Sequence, residues 1–390
     1  MRIIVPVVHF GRAGGQRVLA NLANNWIDMG HEVTMLAHYS SEPIYFPTKA
    51  NIIWFNNQGK TVERKNDFKW DDIKIKKATN LPALIFLIYG LWQALNNHGK
   101  NYDIVIANQS ILTPLPVYFS KISLKKFYYV QLYEPNAFID REDVNFFVNK
   151  APIRDFLMWL ISSASYLLDL DKIVNSPIYL NYKLLSSKYF VPPGIDLSVF
   201  YPKDKYLESS KWKNRTVRLG CIGRSEPWKG TQYAIDAYNL LKQDNWDVEL
   251  FLAYGHTPNG CKIPPEAKVL VPNNDEELAE FYRSLDIIIA PGTIQLGAAH
   301  YPVIEGMACG ISVVTTGYIP ATQENNNAWI VPVKDAQAIA MAIQNIILNP
   351  DCRCQKLANA VHQIQEFSWE FVSAKMIDIF KCSITDSSSH

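Results

Sequence analysis

The chain has 390 residues, 48% of them apolar and 19% charged, with a formal net charge of +1 at pH 7. That length accommodates two domains of ordinary size, each with its own core, and a near-neutral balance with a pI of about 7.6 excludes nucleic-acid binding through bulk charge. No run reaches the roughly 20 apolar residues of a membrane-spanning helix, and the six cysteines, all at or after Cys221 and none in C-x-x-C spacing, read as reduced thiols of a cytosolic protein.

The opening RIIVPVV is a short apolar run ending at a glycine turn, a strand rather than a signal peptide. The helical pattern RVLANLANNWIDMG follows, closed by Gly30 as a C′ residue would close it. The strand EVTMLA completes a β-α-β unit. YDIVIAN, KFYYVQL and DKIVNS keep the rhythm, and continuous apolar strands of this kind belong to a parallel sheet covered on both faces. Two helical stretches, LPALIFLIYGLWQAL from Leu81 and RDFLMWLISSASYLL from Arg154, are unusually apolar, and the basic KNDFKWDDIKIKK precedes the first. They read as buried domain helices beside a solvated charged loop, which the acidic residues among the lysines favour, or as a membrane-surface patch.

After SSKYFVPPGIDLSVFYP the alternation restarts: VRLGCIG, a helix, DVELFLAYG, AKVLVP, the helix ELAEFYRSL, DIIIAPG, a helix, ISVVTTG, AWIVP and a helix. The expected fold is therefore α/β, with two Rossmann-like doubly wound domains over residues 1–185 and 186–367 and a last helix, 368–384, crossing back to the first. Ligands of open α/β sheets bind beyond the carboxyl ends of the strands, so the site is expected in a cleft there. The terminal SSSH reads as the remnant of an expression tag and is set aside.

The segment GRSEPWKG, residues 223–230, joins a strand to a helix. Such a junction aims backbone N–H groups and the positive end of the helix at one point, where phosphate binds. Arg224 and Lys229 beside it would neutralise a diphosphate, and their effect would grow as that group departs. Taken alone, the same two cations also fit an exposed surface loop.

They are not alone. PGIDLSVFYP at 193–202 precedes them, and IIIAPG at 287–292, GAAHYPVIEGMACG at 297–310 and ISVVTTG at 311–317 follow. In this order the segments resemble glycosyltransferase family 4, with its two-Rossmann GT-B architecture. That family's pattern runs NG(V/I)D…F.P, GR…KG, a P(S/G) strand end, EGFGLPVLEAMACG and PVVTT. The resemblance is close over about residues 190–365 and looser in the N-terminal half.

The resemblance implies a retaining transfer of a sugar from a nucleoside-diphosphate sugar, with the nucleotide on the C-terminal domain and the acceptor on the N-terminal one. It assigns Arg224 and Lys229, in the turn opened by Gly223, to the donor diphosphate. Glu305 would accept from the ribose hydroxyls, and the backbone near Tyr301 and Val303 would face the phosphates. Two departures accompany these matches. The family's first carboxylate, which reaches the transferred sugar, falls at Gly297, and its sugar-contacting histidine falls at Gln131. Both losses suit a 6-deoxy donor such as an L-rhamnose nucleotide, and YVQ-x-YEP resembles members linked to rhamnan and other surface polysaccharides. A hexose donor would need its hydroxyl contacts from elsewhere, such as His300 or Glu134.

In the first domain GRAGGQRV matches the family's first-domain loop. Gly14 and Gly15 would let the backbone approach the donor phosphates or the acceptor, with Gln16 where the family carries Glu; taken by itself the segment reads equally well as a tight turn before a helix. Asp169 and Asp171 spell D-x-D but open the strand KIVNS, so neither is assigned to a metal. No cofactor is expected beyond the donor substrate, and no G-x-G-x-x-G fingerprint points to a nicotinamide. The expected partners are the donor and a glycan or lipid-linked glycan, with no nucleic acid. The expected location is the cytoplasm or the inner face of its membrane, reached through the N-terminal domain. Two other readings stay open: a nucleotide-sugar-binding subunit that scaffolds a partner enzyme without catalysis, and a sugar-nucleotide epimerase of the same architecture.

Overall fold

A computed structural model describes residues 1–11, 14–64, 81–108, 112–121, 125–137, 152–202, 212 and 215–388. The chain forms two compact units, Met1–Gly194 together with Trp369–His390, and Ile195–Ser368.

The first unit holds β1 (Arg2–Val8), α1 (Gly14–Asp28), β2 (Glu32–His38), β3 (Asn51–Phe55), α2 (Leu81–His98), β4 (Ile104–Ala107), α3 (Pro114–Phe119), β5 (Lys125–Val130), α4 (Pro152–Ser165), β6 (Asp171–Val174) and β7 (Tyr189–Phe190). Its strands make one parallel sheet in the order β3-β2-β1-β4-β5-β6-β7. Successive residues of a strand point to opposite faces. In β1, Ile3, Val5 and Val7 join one core with Trp26, while Ile4 and Val8 join another with Leu91 and Tyr128. Both faces are covered, and that is why the strands are apolar throughout rather than alternating.

α1 buries Val18, Leu19, Leu22, Ala23 and Trp26, a stripe at helical spacing. It stops in a paired turn: Gly30 N donates to Ile27 O and His31 N to Trp26 O, both at 2.9 Å, with Gly30 at φ +85°. Those two bonds satisfy carbonyls the helix end would otherwise leave open. The last helix of the chain, α10 (Trp369–Ser388), packs in this same unit. Val372, Met376 and Phe380 are fully buried there. Phe380 lies 5.8 Å from Trp26 and 4.7 Å from Phe127, ring centre to ring centre. The unit ends after Gly194 rather than at residue 185, because β7 pairs with β6 and extends the first sheet.

The helices expected to be buried are only partly so. α2 exposes Ile85, Phe86 and Tyr89, and α4 exposes Phe156, Leu157 and Leu160. The lysine-rich stretch 65–77 lies outside the described residues. No described helix is long and apolar enough to cross a membrane. Asp171, of the D-x-D pair, starts β6 and is held by Ser383 Oγ at 2.9 Å and Lys125 Nζ at 3.9 Å, a structural use of that carboxylate.

The second unit holds β8 (Val217–Ile222), α5 (Thr231–Gln243), β9 (Val248–Ala253), β10 (Lys268–Leu270), α6 (Asp275–Ser284), β11 (Ile287–Ala290), α7 (Tyr301–Ala308), β12 (Ser312–Thr315), β13 (Trp329–Ile330), α8 (Ala336–Leu348) and α9 (Pro350–Gln363). Its sheet is again parallel, in the order β10-β9-β8-β11-β12-β13. Chain order runs outward from β8 in one direction and from β11 in the other. The two strands are neighbours, and their carboxyl ends flank the place where the connections diverge, which is where open α/β sheets leave a crevice.

Candidate functional site

In the second unit, the turn after β8 is built by glycines that nothing else could replace. Gly223 N donates to Ala253 O at 2.8 Å, and a Cβ on Gly223 would lie 2.9 Å from the backbone of His256. Gly230 closes the turn at φ +78°, where a Cβ would lie 2.1 Å from Pro291 O. The turn is thus pressed against the loop after β11. Thr231, the first residue of α5, ties it down: its Oγ1 accepts from Arg224 N at 3.0 Å and donates to Arg224 O at 3.2 Å.

A cavity of about 250 Å³ opens at the carboxyl ends of β8 and β11, with Cys221 and Ala290 in its wall. Arg224, Lys229, His300 and Tyr301 line it as well. Four of the residues singled out in the sequence therefore meet at the divergence point. Arg224 is exposed and Lys229 half-buried. Burial lowers the Lys229 pKa, and the Arg224 charge lowers it further, against a smaller pull from Glu226. Two cations held this close repel each other, and an anion between them relieves the strain. Burial, then Lys229 and Arg224, push the His300 pKa down to about 3, so its ring is neutral at ordinary pH. Burial likewise pushes the Cys221 thiol up to about 12, which leaves it protonated and a poor nucleophile.

Glu305 is not among the described residues lining that cavity. It lies one turn further along α7, 4% exposed, with Tyr282 Oη donating to its Oε2 at 2.7 Å. That bond orients the carboxylate and lowers its acceptor capacity by one site. Val303 is fully buried, and its amide donates to His300 O at 3.0 Å. Ile304 N donates to the same carbonyl at 3.1 Å, so both amides have a partner within the first turn of α7. Gly297 adopts φ +81° and also lies outside the described cavity lining.

Sequence reasoning missed Tyr282 and Tyr318. The His300 ring stacks on Tyr318 at 4.4 Å, and Tyr318 Oη donates to Ile294 O at 2.6 Å. A tyrosine in a helix far from the motif, or after the next strand, carries no mark of either contact in the sequence.

In the first unit, Gly14 and Gly15 begin α1. A Cβ on Gly15 would lie 3.0 Å from Gln131 Oε1, so the loop and the end of β5 meet here. Asn175 Nδ2 donates to Gln131 O at 2.7 Å. Arg12 and Ala13 of the same loop lie outside the described residues.

A larger depression, about 850 Å³, runs between β10 and α6 in the second unit. Its arginine, Arg283, is already committed to Glu280 at 2.8 Å and Val199 O at 2.8 Å. The smaller cavity, with Arg224 and Lys229, has the chemistry for an anion.

Residues 216–349 match the family described as Glycosyl transferases group 1. Among curated proteins, the D-inositol 3-phosphate glycosyltransferase of Corynebacterium kroppenstedtii is 27% identical over 218 residues, 50% of this chain and 48% of that protein. The phosphatidyl-myo-inositol mannosyltransferase of Mycolicibacterium smegmatis is 25% identical over 202 residues, 49% of this chain and 51% of its own. The chain thus spans about half the length of the curated relatives it matches. Solved structures align over nearly all of it. Sucrose-phosphate synthase from Thermosynechococcus elongatus has a TM-score of 0.70 at 16% identity, over 99% of this chain and 100% of that one. Anabaena HepE in complex with UDP-glucose has 0.64 at 14%, over 98% and 100%. A putative UDP-N-acetylglucosamine 2-epimerase from Listeria monocytogenes has 0.58 at 12%, over 99% and 97%. At these identities the likeness is one of fold. The chain has the two-domain α/β architecture of GT-B glycosyltransferases, and within its second unit residues 216–349 match the glycosyl transferases of group 1.

Proposed function

We propose that the protein transfers a sugar from a nucleoside-diphosphate sugar to a hydroxyl of a glycan or lipid-linked glycan. The observation that carries this reading is the pair Arg224 and Lys229 in one cavity at the divergence of β8 and β11. As the glycosidic C–O bond breaks, negative charge grows on the diphosphate oxygen that leaves. Fixed cations stabilise that state more than the ground state, and more strongly where water is partly excluded. Because these side chains carry the phosphate charge, the reaction needs no divalent metal. The protonated Cys221 is no nucleophile, and the departing phosphate accepts the proton of the acceptor hydroxyl. Retention of configuration follows from the family resemblance. The solved relatives bound to UDP and UDP-glucose support a nucleotide-sugar donor.

The donor sugar is a 6-deoxy sugar such as L-rhamnose, because Gln131 stands where the family's histidine contacts a hexose near its O6, the hydroxyl a 6-deoxy sugar lacks. A site without that histidine loses its penalty against the missing hydroxyl. The product belongs to a surface polysaccharide. The exposed apolar residues of α2 and α4 suit a lipid-linked acceptor at a membrane surface, which co-sedimentation with anionic vesicles would test.

The deciding experiment measures nucleoside diphosphate released from UDP-glucose, GDP-mannose and dTDP-L-rhamnose, with and without a lipid-linked glycan acceptor, in excess chelator. Release that depends on acceptor and survives chelation supports the reading. Turnover of donor without acceptor would mark an epimerase or hydrolase. Binding without any turnover would mark a non-catalytic scaffold, and restoration of chelated activity by Mg²⁺ would overturn the metal-free mechanism. A preference of about tenfold or more for a hexose donor, worth about 1.4 kcal/mol, would overturn the deoxy assignment.

A further inference from the structure

The loop leading into α7 is where the resembled family carries its first carboxylate, and this chain has rebuilt it. Gly297 takes φ +81° and its amide donates to Gly317 O at 2.8 Å, so any side chain there would sit on strained backbone. Residues 293–300 carry two polar side chains other than His300. Thr293 Oγ1 donates to Trp228 O at 3.4 Å, and Gln295 is exposed.

His300 remains, at a position where the family pattern has glycine. It is the N-cap of α7, yet its side chain makes no capping bond. The anchored Tyr318 ring fixes its plane from one side. Its Nδ1 is sealed from solvent without a partner, whereas Nε2 is not sealed and bonds to no described residue. Orphaned buried N–H groups are rarer than orphaned acceptors, so the proton belongs on Nε2 and Nδ1 is the bare acceptor. The ring is thus a neutral N–H donor in the wall of the cavity that holds Arg224 and Lys229. A third cation there would serve the diphosphate; a neutral donor suits an uncharged oxygen attached to it.

We propose that His300 reads the transferred sugar, its Nε2–H donating to a sugar oxygen in place of the carboxylate missing at Gly297. This role rests on the nucleotide-sugar reading above. It also extends that reading, since it supplies a sugar contact from a residue the family pattern leaves as glycine.

Calorimetric titration of the full chain tests it. UDP, GDP and dTDP are compared with UDP-glucose, GDP-mannose and dTDP-L-rhamnose, and the tightest-binding pair is carried forward. His300→Ala should leave the nucleoside diphosphate within about threefold and weaken the sugar donor about tenfold or more, the loss expected when one polar contact to a substrate is removed. His300→Gln, which keeps an N–H donor at similar reach, should recover part of that loss. Equal weakening of both ligands would overturn the role, as would an unchanged donor affinity in a variant with wild-type thermal stability. Failure of the unmodified protein to bind any of the six would instead overturn the nucleotide-sugar reading itself, and this role with it.

Discussion

Arg224 illustrates what single residues contribute and what can be read of them in advance. The spacing of Arg224 and Lys229 across a strand–helix turn was legible because glycine, cation and apolar strand follow one another in the chain. The structure brings both side chains to one cavity. Arg224→Ala should lower turnover by about 10²–10³, or about 2.7–4 kcal/mol, if the guanidinium acts mainly on developing charge. Arg224 is exposed, so the variant should melt with the unmodified protein. Unaltered steady-state kinetics in a folded Arg224→Ala protein would remove the residue from the mechanism. What could not be read is how the neighbours tune these groups. Glu305 owes its orientation to Tyr282, which is 23 positions away and on another helix. His300 owes its neutrality to burial and to two cations that come near it only after folding.

At the level of elements, the rhythm of strand and helix was written in local patterns. Apolar runs bounded by glycine gave β1, β8 and β11, and apolar stripes gave α1 and α5. β13 was still legible as AWIVP, whereas β7, the two residues Tyr189–Phe190, was hidden in the linker SSKYFVPPG and exists because β6 offers a ladder to join. The faces of α2 and α4 stayed open between burial and a surface patch for a different reason: helical periodicity reports which side is apolar, not whether anything covers it. The turn from β8 to α5 shows how tightly one element can be specified. Gly230→Ala would place a methyl 2.1 Å from a backbone oxygen at φ +78°. The conformation alone costs about 1–2 kcal/mol, and backbone cannot yield cheaply, so the variant should lose at least about 2 kcal/mol in denaturant titration. Lys229 would move with the turn, and turnover should fall as well. A Gly230→Ala protein of unaltered stability would show that β8 and β11 are not pressed together there.

For the whole molecule, acid should weaken both units. His38 in the first has its pKa lowered to about 4 by burial, and His300 in the second to about 3. Both rings stay neutral in the folded protein while the unfolded chain takes up protons near the ordinary value of 6.5. Stability is therefore whole above that pH and declines as pH falls from 6.5 toward those folded values, by up to about 1.4 kcal/mol per pH unit for each ring. Denaturation followed between pH 7 and 4 should show this slope, and His300→Ala should flatten the component that belongs to the second unit. A pH-independent midpoint across that range would mean that the rings are not buried as neutral groups. The way the chain enters and leaves the second unit has a consequence of another kind. Ile195 N donates to Phe367 O at 2.8 Å, so the ends of that unit lie side by side, and Gly194 presses against Trp369 where the first unit resumes. In genetic terms the second unit is an insertion with abutting borders. It can be excised as one uninterrupted reading frame, whereas the first unit survives only as a splice of residue 194 to residue 369. A cut anywhere within 195–368 would leave α10 attached through the wrong fragment, so deletions from the 3′ end of the gene should unfold the first unit before they reach a codon of its sheet.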